Sequence, residues 1–461
     1  MTRRVPDSCP GVLRLHEAAD GPLARIRVPG GRIEPAQLQV LAEAARDLGD
    51  GHLELTSRGN LQVRQVRDAA ALTERLDAAG LLPSRTHERV RNIVASPLSG
   101  RIGGTSDVHR FVPVLDAGLL AAPRLADLPG RVLFTLDDGR GDVSGLSGDI
   151  GVHATGPDEF ALVLAGADAG IRISAVDAVD VVLAAAHGFL DLRDDETGQW
   201  RLHDIADGAE RVAEHLGLDR SAERLEFGAA QNIPIGWLDQ DNGSVSLGAG
   251  VRLGSLPART AEFIAAIERP VFLTPWRSLI IADLDEWAAE QVVRVLAPMG
   301  LIFDANSPWL QVSACAGRPG CAKALTDVRA DVTDAIESGR VLAPANDPAV
   351  QADSPAANPP TAEASAAEVP ANADSPADAD PSAHADAPAA EVPAHADPPA
   401  HTDAPEPGTA ADSPAHQPLS LNATDVTVAG RQHWSGCERR CGRPRGEVTD
   451  VIATDSGYRI D

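Results

Sequence analysis

The feature that most limits how this chain can fold is an internal repeat. Residues 23–66 read LARIRVPGGRIEPAQLQVLAEAARDLGDGHLELTSRGNLQVRQV, and residues 245–284 read VSLGAGVRLGSLPARTAEFIAAIERPVFLTPWRSLIIADL. Each copy has an alternating strand, a Gly/Pro turn and an apolar-periodic helix. Each then has a second strand that opens Leu-Thr and passes an arginine, Arg58 or Arg277. A further amphipathic helix closes each copy, LTERLDAAGLL in one and WAAEQVVRVLAPMGL in the other.

A β-α-β-α unit of this size resembles half of a ferredoxin-like sandwich, and two copies imply an internal pseudo-dimer. Larger α/β segments follow each copy, one with the alternating strands RVLFTLDDG and EFALVLAGADAG, the other opening SPWLQVSACAGRPGC. The expected fold class is α+β, with half-domains at 10–84 and 240–304 and larger domains at 85–225 and 305–461.

The stretch 341–420 interrupts the last domain. It holds 16 of the chain's 35 prolines, 13 Asp or Glu and no Lys or Arg. Such a sequence cannot bury enough apolar surface to offset its conformational entropy, so it is expected to be a disordered insert. Its acids also leave −14 of the formal charge of −27 for the remainder. That balance excludes nucleic acid and anionic membrane as main partners. No apolar run approaches the roughly 20 residues needed to span a bilayer. The start, MTRRVPDSCPGV, has no apolar core, so no signal peptide is read and a cytoplasmic location is expected.

In a reducing compartment cysteines serve as metal ligands more often than as disulfides. Cys315 and Cys321 are spaced C-x5-C, and Cys437 and Cys441 are spaced C-x3-C. Without the insert about 35 residues separate the pairs, a distance suited to two loops of one domain. Four thiolates suit a [4Fe–4S] cluster. Zinc is the alternative, although its knuckles are usually tighter than C-x5-C, and unligated cysteines are the third reading. Cys9 has no partner at ligand spacing. Lys323, Arg439, Arg440, Arg443 and Arg445 crowd the pairs and would favour electron uptake by a cluster.

With the motifs LTSRGNLQVRQV (55–66), RNIVASPLSG (91–100), DIGVHA (149–154), ACAGRPGC (314–321) and SGCERRCGRP (435–444), the chain resembles the sirohaem-dependent nitrite and sulfite reductases. Through SCPGVLRLHEAADGPLARIRVPGGRI and LPGRVLFTLDDGRGDVS it is more similar still to the precorrin-3B synthases of that superfamily. The resemblance implies O2-dependent oxidation of precorrin-3A at C20 with lactone formation. It also implies a [4Fe–4S] cluster and an added mononuclear non-haem iron. The reductases place a lysine pair on their anion. Here the matching LPGRVLFTL supplies Arg131 and then Val132, Leu133 and Phe134, and Lys323 is the only lysine in the chain.

Sirohaem and precorrin-3A both carry eight carboxylates, which planar guanidinium groups bind bidentately. The expected cradle is Arg58, Arg64, Arg91, Arg101 and Arg131, with Asn60, Gln62 and Asn92 adding hydrogen bonds. Arg131 and Arg58 are the expected catalytic pair. By the same resemblance Cys441 would face the ring. His109, His153 and His433 lie beside the motifs, but no His-x-x-His knuckle points to an iron site. No dinucleotide fingerprint is present, so an external NAD(P)H-linked reductase or a ferredoxin is expected as donor. A monomer is expected because the repeat supplies the second copy internally. A sirohaem-bearing reductase and a non-catalytic tetrapyrrole carrier are the competing readings.

Overall fold

The two repeat copies fold into two sheets that exchange strands. This computed structural model describes residues 7, 9–194, 198–228, 233–341, 430–444 and 446–461. The first sheet runs His16–Ala18, Gly21–Ile26, Leu61–Val63, His52–Leu55 and Ser255–Pro257. The second runs Gly236–Asp239, Val245–Val251, Ser278–Leu284, Val271–Leu273 and Arg32–Ile33, with Leu301–Ile302 beside Val245–Val251. The last strand of each therefore comes from the other copy. Leu256 pairs with Leu53, and Arg32 pairs with Phe272. All these pairings are antiparallel.

The helices follow from local signals. Pro35 opens the helix Pro35–Leu48, and Glu34 with Gln37 forms a reciprocal cap. Its apolar residues Leu38, Leu41, Ala42 and Ala45 recur at helical spacing and are buried. This helix packs against Ala258–Ala265 of the second copy. The closing helices Ala69–Ala78 and Glu286–Leu296 start alike, with Asp68 accepting from the Ala71 N–H and Asp285 from that of Ala288. One apolar core runs through both copies, from Val12 to Leu301. The pseudo-dimer is therefore a single packed body with a common core.

The two larger regions share a pattern of their own. Ile93–Ala95, Phe134–Asp137 and Ile150–Ala154 are parallel neighbours, followed by antiparallel Glu159–Leu164 and Ala167–Ser174. Val312–Ala314, Gln432–Ser435 and Thr449–Thr454 are likewise parallel, followed by antiparallel Gly457–Ile460. Each sheet has its own core.

The proline-rich stretch falls in the crossover between the parallel strands Val312–Ala314 and Gln432–Ser435. Val341 is buried in the core of the folded part, so the insert starts later than 341. The expectation of disorder for the rest of 341–420 lies outside the described residues. A long insertion in one connection is entropically tolerable, because closure cost grows only with the logarithm of loop length. Among the described residues no helix is long and apolar enough to cross a membrane.

A candidate cluster site beside an arginine-lined cavity

Adjacent parallel strands bring the two cysteine pairs together. Ala314 is in register with Trp434, so both arms leave the same end of one sheet. The Cys315 N–H donates to the Trp434 carbonyl at 3.0 Å, and the Gly436 N–H donates to the Cys315 Sγ at 3.2 Å. The Cys321 N–H is tied to the Gly317 carbonyl at 2.8 Å, and the Leu325 N–H to that of Gly436 at 2.9 Å. Burial raises the pKa of the Cys441 thiol. The charges of Cys437, Cys315 and Cys321 raise it further, so all four thiols occupy one neighbourhood.

Four sulfurs about 2.3 Å from a single zinc would lie roughly 3.8 Å apart. Among the described residues, the only group of three or more potential ligand atoms within 4.8 Å of one another is Asp137, Asp138 and Asp142. No three of the four thiols lie within that distance of one another. One of them already accepts an N–H, as metal-bound thiolates do. The donor set fits a [4Fe–4S] cluster.

A cavity of about 300 Å³ adjoins the quartet. Its wall includes Gly442 and Arg443, directly after Cys441, and Val312 and Ser313, just before Cys315. Arg58, Arg201, Arg277, Arg431 and Arg443 line it, and among the described residues no Asp or Glu does. Leu133, Leu146, Leu253, Leu310, Trp276 and Trp309 supply apolar surface. A second cavity of about 650 Å³ shares Arg58 and Arg201 with the first and adds Arg25, Arg131, Cys9 and Trp200, with Asp204 as its one acid among the described residues. In a chain of net charge −27, this is a concentrated cationic site.

Arg201 pairs with buried Asp149 at 2.6 Å and Arg443 with Asp450 at 2.9 Å, whereas Arg58 and Arg277 make no ion pair among the described residues. Burial brings the pKa of Arg58 down to about 10, helped by the neighbouring charge of Arg201. Arg27 is brought down to about 9 by burial and by Arg25, and its Nη1 is buried without a hydrogen bond. Arg25 donates to Gln62 Oε1 at 2.9 and 2.5 Å and approaches the Cys9 sulfur at 4.0 Å. Desolvated guanidinium groups without counter-ions are the condition for strong anion binding.

The other expected site residues are engaged elsewhere. Arg64 donates to both Asp20 oxygens at 2.9 and 2.6 Å, and to the Gly320 carbonyl at 3.2 Å next to Cys321. Arg91 forms a buried fork with Asp116 at 2.7 Å. Arg101 grips Asp283 at 3.0 and 2.8 Å and lies over the Phe272 ring. Asn60 accepts from the Val28 N–H at 2.9 Å and donates to Asn92 at 3.2 Å, and Asn92 holds the Gly130 carbonyl at 2.9 Å. None of these five lines either cavity. Of the expected cradle, Arg58 and Arg131 do. Val132 and Phe134 are in the core, while Leu133 faces the central cavity.

The basic residues near the cysteines also differ from expectation. Arg440 pairs with Asp450 and Asp461 at 2.7 Å, and Arg443 with Asp450 at 2.9 Å. Their charge is thus largely offset locally. Lys323 and Arg439 are exposed, and Arg445 lies outside the described residues. Sequence reading missed Arg201, Arg25 and Cys9 as cavity residues. The Arg-x-Arg alternation at 25–27 was the available signal for Arg25. Arg201 belongs to no pattern.

The three histidines do not converge. His109 stacks on Phe272 at 4.9 Å, His153 bonds Ser144 at 3.1 Å, and His433 bonds Ser313 at 2.9 Å. The three aspartates organise a loop instead. Asp137 accepts from the N–H groups of Gly139, Gly141, Val143 and Ser144. Burial would raise its pKa, but His153 and these bonds hold it at about 2. Asp142 is pushed up to about 7 by burial and by Asp137. The folded chain therefore holds the Asp142 proton more tightly than the unfolded chain. That stability is complete below about pH 3.8 and is lost as pH rises through about 7. In Asp142→Asn the decline over this window is expected to flatten, by up to roughly 4 kcal/mol. Urea midpoints compared at about pH 5 and pH 8 read it directly.

Comparison with known proteins identifies the fold. Residues 16–79 match the nitrite/sulfite reductase ferredoxin-like half domain. The chain is 23% identical over 376 residues to an assimilatory ferredoxin-dependent nitrite reductase of Haloferax mediterranei, covering 67% of this chain and 62% of that protein. It is also 23% identical over 352 residues to a precorrin-3B synthase of Sinorhizobium sp, covering 73% of this chain and 74% of that protein. The structure of the Mycobacterium tuberculosis NirA protein superimposes with a TM-score of 0.59 at 19% identity, over 72% of this chain and 66% of that one. The chain spans between 16% and 62% of the length of the curated nitrite reductases it matches. The fold is the ferredoxin-like fold of the nitrite/sulfite reductases, and the nitrite reductases among these relatives are oxidoreductases.

Proposed function

We propose that this chain is an O2-dependent oxidoreductase acting on a polycarboxylate tetrapyrrole, converting precorrin-3A to precorrin-3B. The observation that carries this reading is the central cavity: five guanidinium groups, of which Arg58 and Arg277 make no ion pair among the described residues, with Leu133 and Leu146 in the wall and the cysteine arms beside it. Arginines suit carboxylates at the rim of a ring. Leucines and tryptophans suit its faces and keep water out. A wall that reduces a small anion would need cationic groups where Leu133 stands.

Cys315, Cys321, Cys437 and Cys441 would hold a [4Fe–4S] cluster, which when bound supplies electrons one at a time. Arg58 and Arg277 would grip the carboxylates and fix the ring against the apolar wall, with Arg201, held by Asp149, adding positive charge beside them. One oxygen atom of O2 enters the substrate and the other leaves as water. Two electrons and two protons come from an external NAD(P)H-linked reductase or a ferredoxin. Among the described residues His109, His153 and His433 do not converge on a site for a mononuclear iron.

The nitrite reductase relatives favour a second reading, a sirohaem-bearing reductase. Isotope-labelled O2 with precorrin-3A separates the two. One labelled atom per product and an absorption spectrum without a chlorin band support the first. A chlorin band with nitrite reduction and no O2 consumption overturns it.

A further inference from the structure

The loops Leu55–Asn60 and Leu273–Ser278 are the same turn built twice. The Thr56 N–H donates to the Asn60 carbonyl at 2.9 Å, and the Thr274 N–H to the Ser278 carbonyl at 3.0 Å. The Thr56 hydroxyl accepts from the N–H of Arg58 and Asn60, and the Thr274 hydroxyl from that of Trp276 and Ser278. In this register Arg58 corresponds to Trp276, and Arg277 stands where the first copy has Gly59. The repeated arginines of the sequence are therefore not equivalent.

Both positions are left-handed, with φ of 62° at Gly59 and 58° at Arg277. Glycine adopts this backbone freely, whereas a long L side chain does so only under strain. The guanidinium so aimed reaches the cysteine quartet. Its Nη1 donates to the Ala314 carbonyl at 3.4 Å, one residue before Cys315. A methyl on Gly442, one residue after Cys441, would lie 3.0 Å from its Nη2. Arg277 also lines the central cavity and makes no ion pair among the described residues. Of the charges acting on it, Glu54 and the Cys315 thiol favour the cation, while Arg329 opposes it. Backbone strain and desolvation fall on one residue, and among the described residues no carboxylate is in direct contact with it; Glu54 acts from a distance and is itself held by Arg329.

We propose that Arg277 is the counter-charge of the cysteine quartet, a positioning residue that favours the reduced state of a cluster held there and carries that charge to the cavity wall. This rests on the reading of the quartet as a [4Fe–4S] site. A cluster gains one negative charge on reduction, so an adjacent fixed cation raises its potential.

The full chain, reconstituted anaerobically with iron and sulfide, is titrated with spectroscopic detection of the reduced cluster. Arg277→Gln is expected to load the same iron and to lose at least tenfold in the equilibrium constant for reduction, about 59 mV for one electron. Arg277→Lys should recover most of that loss. Arg277→Gly restores the residue found in the first copy; its apo form should unfold at higher urea than the parent, and it provides the same redox comparison if the glutamine variant does not fold. An unchanged potential in the Gln and Gly variants overturns the proposal. So does an apo Gly variant less stable than the parent, since that makes Arg277 a structural residue. Failure of the parent chain to bind iron and sulfide overturns the cluster reading instead.

Discussion

Cys321→Ala is expected to leave the chain without bound iron or acid-labile sulfide, where the parent holds about four of each, and to abolish turnover. The four thiols stand on two arms that the sheet fixes independently, one after Val312–Ala314 and one after Gln432–Ser435. Removing a single ligand leaves the fold of both arms intact but opens one corner of the cluster to water. Cys441→Ala should behave alike, because its thiol lies with the other three. Cys9→Ala is the control. That thiol donates to the Gly130 carbonyl at 3.3 Å in the other large domain, and iron content should not change. Iron and sulfide assays with the visible spectrum settle the matter. One zinc per chain without sulfide would overturn the cluster assignment.

Arg58→Leu is expected to stabilise the apo chain and weaken ring binding. The pKa of Arg58 is pushed down to about 10 by burial and by Arg201. At any pH below that value the folded state carries a charge it disfavours, and the penalty fades only as pH rises above about 10. The shift corresponds to an upper figure of roughly 3 kcal/mol. A leucine of similar girth removes it. The same change leaves a ring carboxylate unpaired, which costs about 2–5 kcal/mol, or roughly 30-fold and more in affinity. Fluorescence titration of the apo chain with uroporphyrin, an octacarboxylate ring, measures the affinity, and urea unfolding measures the stability. Unchanged affinity would remove Arg58 from the carboxylate cradle.

The cysteines were legible because their chemistry is carried by residue type and spacing, and neither depends on what packs nearby. The motif around Arg58 was legible only in part. Asn60, Gln62 and Arg64 alternate with the buried Leu61 and Val63, so the strand period places them on one face. It does not say what that face meets. Asn60 meets Asn92, Gln62 meets Arg25, and Arg64 meets Asp20, so only Arg58 remains for the cavity. Arg91 and Arg101 were misplaced for the same reason. Each has an aspartate partner supplied from elsewhere in the fold.

By itself the sequence determined the duplicated half-domain, the two larger α/β regions and the two cysteine arms. These rest on periodicity, composition and spacing, which are local properties of the chain. The tertiary structure alone decided the strand exchange between copies, the placing of Arg277 at a glycine position beside the thiols, and which arginines stay unpaired. Whether a buried guanidinium is free or neutralised depends on residues far away in sequence. Arg101 finds Asp283, and Arg329 finds Glu54. Such pairings follow from the packing of distant segments, so no local pattern encodes them.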